Sequence, residues 1–206
     1  MSIDATPSPR HPQSPWQGGW HRQARVLPSP NFGPRPPGVA IDLAVVHSIS
    51  LPPGQYGGDE IERLFTNTLD WDAHPYFDLI RGAEVSAHFV IRRDGALLQF
   101  VSVLDRAWHA GRSHWQGRDN CNDHSVGIEL EGLEHTPFEP AQYTALAQLL
   151  HDLALAWPIA QAVGHEHIAP GRKQDPGRAF DWALLARLTA WSAERFPPAS
   201  LLDSSS

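Results

Sequence analysis

The run Ile41-Asp42-Leu43-Ala44-Val45-Val46-His47 is apolar and rich in β-branched residues, which predicts a buried strand that His47 closes. Proline and glycine crowd the stretch that follows, so residues 49–58 are expected to form a loop at the strand end, and a short helix is predicted over residues 59 to about 69. His47 would then lie on a rigid strand beside a loop, where site residues are common. A lone histidine there also fits a simple strand cap that bonds a carbonyl.

Two further patterns add strands to the predicted sheet. Residues 87–92 and 96–101 are mainly apolar runs on either side of an Asp-Gly pair, which favours a hairpin turn between antiparallel strands. Residues 126–131 alternate strictly, which puts Glu129 and Glu131 on the same face of a strand. That polar face is expected to be exposed to solvent or to line a functional site.

Helices are predicted in the C-terminal half of the chain. Apolar residues recur at three- and four-residue spacing over residues 140–157, which is typical of an amphipathic helix packed on a sheet. A short strand follows at 161–164, and a last helix is predicted over residues 182 to about 196, with Asp181 as its cap. The fold class is therefore α/β: a single domain with a mixed central β-sheet flanked by helices.

Length and composition favour one compact domain with tails. The chain has 206 residues, of which 41% are hydrophobic and 19% charged, as in a soluble globular protein. Nine of the nineteen prolines lie in the first 38 residues, and proline lacks the amide donor that helices and sheets need. We expect a Pro-rich N-terminal arm at 1–19, the folded domain at 20–196 and a flexible C-terminal tail at 197–206.

Charge and cysteine content limit the partners and the compartment. The formal net charge is −7, and only sixteen Lys and Arg are spread along the chain, which argues against nucleic acid as a partner. No stretch approaches the ~20 apolar residues of a membrane span, and residues 1–20 lack the apolar core of a signal peptide. Cys121 is the single cysteine, so no intramolecular disulfide is possible. We therefore expect a cytoplasmic protein with no membrane partner.

Histidine is abundant, with twelve in the chain, and a catalytic zinc site takes three protein ligands and leaves a fourth position for water. Residues 163–177 contain two histidines, a glutamate, an aspartate and two cations in a loop rich in glycine and proline. The backbone of such a loop lacks ladder partners, so a metal would organise it. A solvated surface loop has the same composition, and the residues alone leave both interpretations open.

Four motifs carry a resemblance to a known family: VVHSISLPPG at 45–54, WHAG at 108–111, GIELEG at 127–132 and the loop at 165–177. In this order they resemble the type 2 N-acetylmuramoyl-L-alanine amidases over roughly residues 20–195, and among these the cytoplasmic recycling enzymes that cleave 1,6-anhydro-N-acetylmuramyl peptides. The resemblance implies hydrolysis of the amide bond between muramic acid and L-alanine in a small-molecule muropeptide, with one Zn²⁺ per chain. We expect a monomer.

The resemblance also implies the metal ligands. It places zinc on His47, His165 and Asp175. Glu166 and His167 are local competitors by position, but the resemblance gives neither a ligand role. Two neutral imidazoles and one carboxylate leave a zinc complex with a net positive charge, which keeps the ion a strong Lewis acid.

Further roles follow from the same resemblance. Glu129 matches the catalytic glutamate, which takes a proton from water and returns one to the leaving amine, whereas strand geometry alone does not choose between Glu129 and Glu131. Lys173 matches the lysine that stabilises negative charge on the former carbonyl oxygen. Trp108 and Ser48 are expected to contact the substrate.

Some features of the sequence leave alternatives open. Where family members carry arginines that hold the peptide, this chain has Glu84 and Asn120. Peptide recognition therefore differs or uses Arg81, Arg112 or Arg118 instead, and the stem-peptide preference is not predicted. A cysteine hydrolase that uses Cys121 beside His124 is a second class of function. A non-catalytic module that binds muropeptides is a third, although such a module has no need to keep the ligands, the glutamate and the lysine together.

Overall fold

The computed structural model describes residues 14–198 of the chain. The strands are β1 (Trp16–Gln17), β2 (Trp20–His21), β3 (Arg25–Val26), β4 (Phe32–Pro34), β5 (Leu43–Ile49), β6 (Phe89–Ile91), β7 (Leu97–Gln99), β8 (Asp105–Ala107), β9 (His114–Trp115), β10 (Arg118–Asp119), β11 (Ser125–Glu131) and β12 (Gln161–Gly164). The helices are α1 (Glu60–Phe65), α2 (Pro140–Ala156), α3 (His165–Ile168) and α4 (Trp182–Thr189), with 3₁₀ turns at Pro75–Ile80, Cys121–Asp123 and Ala193–Arg195. Within this part of the chain, no helix has the length and apolar character to cross a membrane.

Six strands form the central sheet, in the order β12-β5-β11-β6-β7-β3. The first four are parallel, β7 is antiparallel to β6, and β3 is parallel to β7. The antiparallel step is the hairpin predicted from the Asp-Gly pair. α2 lies between β11 and β12 in the chain and supplies the long connection that strands of the same direction require. The predicted mixed sheet flanked by helices is confirmed.

The two faces of the sheet have different coverings. Alternate residues of β5 and β11, among them Val46 and Ile128, pack with α2 and α4 in the largest apolar core. The residues between them, among them His47 and Glu129, point to the opposite face. Because β5 and β11 are parallel and Glu129 pairs with His47, these two side chains start from neighbouring positions on that face.

β5 is longer than the apolar run predicts. His47 does not close the strand, because Ser48 and Ile49 continue the ladder with Leu130 and Glu131 of β11. The predicted loop therefore begins after Ile49, and Ser48 is held on a strand.

α1 and α4 are shorter than predicted. Each helix is followed by a residue with a positive φ, 59° at Asn67 after α1 and 54° at Ala190 after α4, and such left-handed residues end helices. The chain beyond α4 reaches Phe196 through a 3₁₀ turn. The predicted cap of α4 is confirmed, since the Asp181 carboxylate accepts a hydrogen bond from the amide of Leu184 at 2.8 Å.

The N-terminal segment packs on the domain from Trp16 onward. The Trp16 ring is buried, meets Phe89 and Trp157 edge to face, and donates a hydrogen bond to the main-chain carbonyl of Asp152. The proline content assigned Trp16 to the arm, but a buried indole removes roughly 150–250 Å² from water and holds this part of the chain on the core. Residues 1–13 of the predicted arm and residues 199–206 of the predicted tail lie outside the described residues.

Arg35 ties the extended segment before β5 to the loop before β11. Its guanidinium donates hydrogen bonds of 2.8–3.2 Å to four main-chain carbonyls, those of Val103, Asn122, Asp123 and Ser125. Three of these carbonyls belong to residues 122–125, which lead into the strand that carries Glu129. The Pro-rich segment therefore helps to hold the start of β11, the strand that carries Glu129, in place.

Candidate metal centre and active-site cleft

Three buried side chains converge near the carboxyl ends of the parallel strands. Nδ1 of His47 lies 3.0 Å from Nδ1 of His165 and 3.0 Å from Oδ2 of Asp175, and the latter two atoms are 3.1 Å apart. His47 belongs to β5, His165 opens α3 directly after β12, and Asp175 follows in the next loop. Because β5 and β12 are neighbours in the sheet, the fold brings these distant residues together.

The donor set of this cluster fits a divalent metal ion. Its two imidazole nitrogens and one carboxylate oxygen lie within 4.8 Å of one another, and zinc sites use this combination of ligands. Nε2 of His165 lies 3.1 Å from the carbonyl oxygen of Ala110; a carbonyl only accepts, so a neutral ring keeps its proton there and turns the Nδ1 lone pair to the cluster. Tetrahedral bonds of about 2.0–2.1 Å would place donor atoms roughly 3.3 Å apart, close to the observed spacing.

The protonation states of the cluster suit a metal ion. Burial, helped by the neighbouring His165, lowers the pKa of His47 to about 4. Burial alone would raise the pKa of Asp175, but its contacts with His165 and His47 outweigh that effect and hold the pKa below its usual range. Neutral imidazole and ionised carboxylate are the forms that bind metals.

Glu129 lies in the same cleft, which has a volume of about 240 Å³ and is also lined by the three converging residues. Its Oε2 atom is buried and has no hydrogen-bond partner among residues 14–198. Burial and the nearby Asp175 carboxylate raise the pKa of Glu129 well above its usual value, although Lys173 opposes them in part. A carboxyl group in this state can hold a proton at neutral pH and transfer it to a base.

Glu131 shares the strand face of Glu129 but has different surroundings. Its carboxylate accepts hydrogen bonds from Arg92 at 2.8 Å and from the amides of Gly57 and Arg93 at 2.7 and 3.3 Å. It lines a separate open groove of about 690 Å³. A carboxylate with these partners is a structural anchor, so the geometry separates the two glutamates that the alternation left equivalent.

The other predicted site residues also line the cleft, namely Lys173, Trp108 and Ser48. The Ser48 hydroxyl oxygen is buried and has no hydrogen-bond partner within the described part of the chain. Trp108 is partly exposed, and its amide donates to Oγ of Ser86 at 3.0 Å. The roles of these three side chains in catalysis and substrate binding stay predictions.

Two side chains beside the cluster have contacts that the sequence pattern did not indicate. Arg172 lies in the loop after α3 and donates hydrogen bonds of 2.7 Å to the carbonyls of Ala110 and Arg112, which ties the WHAG loop to the loop that carries Lys173 and Asp175. His109 of that loop approaches Nε2 of His47 at 2.9 Å. The only signal for His109 was its place in the WHAG motif, beside the predicted substrate contact.

The local competitors stay outside the cluster. Nδ1 of His167 accepts a hydrogen bond from the amide of Gly164 at 2.8 Å, and its ring meets Trp182 of α4 edge to face. The one turn of α3 thus directs His165 and His167 to different neighbours. Neither Glu166 nor His167 belongs to the metal-type cluster found among the described residues.

Cys121 does not have the surroundings of a nucleophile. It is 0% exposed and packs in an apolar cluster with Val45, Ala110 and Val163. Burial raises the pKa of its thiol, whereas a reactive cysteine needs a lowered pKa and access to substrate. The structure therefore disfavours the cysteine hydrolase.

The family follows from this fold and site together with sequence comparison. A family model described as N-acetylmuramoyl-L-alanine amidase matches residues 37–178. The matched segment contains β5, β11, β12 and all three residues of the metal-type cluster. The chain belongs to the N-acetylmuramoyl-L-alanine amidase family and is an enzyme of that class, as its resemblance to the type 2 amidases predicts.

Particular relatives resemble the chain over most of their length. The 1,6-anhydro-N-acetylmuramyl-L-alanine amidase AmpD of Escherichia coli strain K12 is 52% identical over 167 residues, which are 80% of this chain and 91% of that protein. A crystal structure of a selenomethionine AmpD derivative has 50% identity and a TM-score of 0.82, covering 84% of this chain and 97% of that one. The E. coli amidase AmiD, solved with anhydro-N-acetylmuramic acid-L-Ala-D-γ-Glu-L-Lys, has 30% identity and a TM-score of 0.53 over 75% of this chain and 60% of that one.

Proposed function

We propose that this protein is a zinc-dependent amidase that cleaves the bond between 1,6-anhydro-N-acetylmuramic acid and L-alanine in muropeptides, and that it works in cytoplasmic peptidoglycan recycling. The observation that carries the proposal is the convergence of His47, His165 and Asp175 at 3.0–3.1 Å in the cleft that holds Glu129. The substrate class is supported by the activity in the name of AmpD and by the muropeptide bound to AmiD. One Zn²⁺ per chain would be held by the three residues.

Zinc bound there would act as a Lewis acid toward the scissile carbonyl and a water molecule. Glu129 moves the protons: its carboxylate takes one from the attacking water and its carboxyl returns one to the nitrogen of L-alanine as the amide bond breaks. The carboxyl group formed in the first transfer is the proton donor for the second, so no other acid is needed in the cleft. Glu129 pairs with His47 across the two strands, which supports a proton exchange next to the proposed metal ligands.

Lys173 supplies positive charge where negative charge develops. Lys173 lines the cleft, and its positive charge acts to lower the pKa of Glu129. As water adds to the carbonyl carbon, charge grows on the carbonyl oxygen, and a cation at that position stabilises the transition state more than the ground state. The loop that carries Asp175 also carries Lys173, so the ligand and the cation are positioned together.

Trp108 and Ser48 supply contacts to the substrate. Trp108 forms an apolar wall of the cleft with Ile49 and Val85, and a sugar ring or the alanine methyl group can pack on it. The Ser48 hydroxyl, which has no partner among the described residues, offers a hydrogen bond to a polar group of the muropeptide.

The stem peptide beyond L-alanine has weaker partners in this chain than the family pattern provides. Asn120 stands in place of a family arginine, and its amide donates to the Asp123 carboxylate at 2.9 Å. Of the arginines that could take its place, Arg81 and Arg118 pair with carboxylates of the chain, and Arg112 is exposed. We therefore expect broad tolerance for the residues that follow L-alanine.

The test is incubation with anhydro-N-acetylmuramyl-L-Ala-D-γ-Glu-L-Lys, followed by mass spectrometry of the products. Release of the intact tripeptide by zinc-loaded protein, its loss after chelation and its return on adding zinc are the expected results. Muramyl-tripeptide without the anhydro bridge is the matched substrate for sugar specificity. Release of a shorter peptide would assign a different bond, and binding without cleavage would favour the muropeptide-binding module.

A further inference from the structure

His109 lies between the metal-type cluster and the main chain of the loop before β11. Its Nδ1 is 2.9 Å from Nε2 of His47, and its Nε2 is 3.1 Å from Oγ of Ser125. The Ser125 hydroxyl donates in turn to the carbonyl oxygen of Cys121 at 2.6 Å. The four groups form a hydrogen-bonded chain that runs from a backbone carbonyl to a proposed metal ligand.

The carbonyl sets the direction of every bond in this chain. Because a carbonyl only accepts, the single hydroxyl proton of Ser125 points to the carbonyl oxygen of Cys121. If the hydroxyl proton pointed to His109 instead, lone pairs of the two oxygens would face each other at 2.6 Å. Oγ of Ser125 must then accept the Nε2 proton of His109. With its proton on Nε2, the neutral His109 ring presents a lone pair at Nδ1. That lone pair accepts the Nε2 proton of His47.

We propose that His109 is a positioning residue of the metal centre, which holds His47 in the tautomer whose Nδ1 lone pair points into the cluster. The inference deepens the proposed function, since it rests on zinc binding at His47. The chain is not an outlet for protons, because it ends at a backbone carbonyl that cannot pass a proton on. Its effect is on the orientation and basicity of the ligand ring.

The surroundings of His109 hold its ring in this place. A Cβ atom at Gly127 would come within 2.4 Å of the His109 ring, so any other residue there would displace it. Oδ1 of Asn122 accepts from the amides of His109 and Ala110 at 3.2 and 2.8 Å, which anchors the backbone. The rings of His47 and His109 meet edge to face with centroids 5.0 Å apart. The first glycine of the GIELEG motif therefore leaves space for the positioning residue.

The first test is the zinc affinity of full-length variants, measured by competition with a chromophoric chelator. His109→Phe keeps an aromatic ring but cannot accept a proton from His47, and it is expected to weaken zinc binding by roughly 10–100-fold. His109→Asn places an acceptor oxygen near the position of Nδ1 and should recover most of that affinity. His151→Phe, at an exposed position of α2, is the control and should bind zinc as the wild type does.

Ser125→Ala separates the hydrogen-bonded chain from simple packing. It leaves the His109 ring in place but removes the acceptor that orients it, so zinc affinity should fall several-fold. If His109 only fills the space over Gly127, the order is reversed: His109→Phe and Ser125→Ala bind zinc normally and the smaller His109→Asn binds it less well. That result would overturn the proposal.

Nitrogen-15 NMR of zinc-loaded protein reports the tautomer directly. In the wild type, His47 should bind zinc through Nδ1, and its Nε2 proton should exchange slowly with solvent. In His109→Phe this proton has lost its acceptor and should exchange faster. Ligation of His47 through Nε2 in the wild type would contradict the inference while zinc binding itself stands. A wild type that binds no zinc would instead refute the proposed function, so the two failures are distinguishable.

Discussion

Replacement of each strand glutamate by glutamine tests the division of roles between Glu129 and Glu131. Glutamine keeps the shape of the side chain and removes the charge. In Glu129→Gln the amide cannot carry a proton from water to the leaving amine, so kcat should fall by roughly 10²–10⁴-fold. The free energy of unfolding should stay within about 1 kcal/mol of the wild-type value, because the buried Oε2 has no hydrogen-bond partner among residues 14–198 that the substitution could remove.

Glu131→Gln should show the opposite pattern. The carboxylate is 2% exposed and accepts from Arg92 and from two main-chain amides. The free energy of unfolding should fall by about 2–3 kcal/mol. This is less than for an isolated buried ion pair, because Arg92 keeps Glu62 as a second partner. For a chain of this size that corresponds to a drop in Tm of roughly 5–10 °C. Turnover at a temperature where the variant is folded should stay close to wild type.

The assay combines thermal denaturation, zinc content and steady-state cleavage of anhydromuramyl-tripeptide on the same zinc-loaded samples. Both variants should retain one zinc per chain. Wild-type turnover in Glu129→Gln would refute the proton-transfer role. A loss of turnover in Glu131→Gln without loss of Tm would refute the structural role of the second glutamate.

Other side chains yield predictions of their own. Cys121→Ala should keep wild-type turnover, because the thiol is 0% exposed and burial raises its pKa; inactivity of the folded variant would restore the cysteine hydrolase. Lys173→Met should lower kcat by roughly 10²-fold or more with zinc affinity held within about threefold, and an equal loss of both would make Lys173 part of the metal site. Acid should destabilise the chelator-treated protein in urea unfolding, because burial lowers the pKa of His88 to about 3. The unfolded chain has a histidine pKa of about 6.5, so between these pH values the unfolded state binds more protons and the free energy of unfolding decreases as the pH is lowered. Between about pH 7 and about pH 5, His88 alone should lower the free energy of unfolding by about 2 kcal/mol. His88→Asn should remove this contribution, and the exposed-site control His151→Asn should retain it.

The strands that carry the site were predictable because their signals are local. A continuous apolar run gives β5, and strict alternation puts Glu129 on a face opposite to Ile128. The ends of α1 and α4 were not predictable from sequence, because Asn67 and Ala190 adopt left-handed backbone conformations that their side chains do not require. Trp16 likewise joins the core through contacts with residues far along the chain, which no pattern among the N-terminal prolines shows.

The site was predictable in part, and for a different reason. Spacing left the loop at 163–177 open between a metal site and a solvated surface, and the family resemblance selected His165 and Asp175. The structure then brought these residues to His47 by pairing β12 with β5. His109 could not be assigned from sequence, because its bond to His47 depends on the direction of a hydrogen-bonded chain and on the space above Gly127.

The metal centre is tested most directly by a crystal grown with zinc and measured at the zinc absorption edge. The predicted result is one anomalous peak per chain, at roughly 2.0–2.2 Å from Nδ1 of His47, Nδ1 of His165 and Oδ2 of Asp175. A peak bound by His167 instead, or no peak at a cluster whose side chains have turned away from one another, would contradict the account.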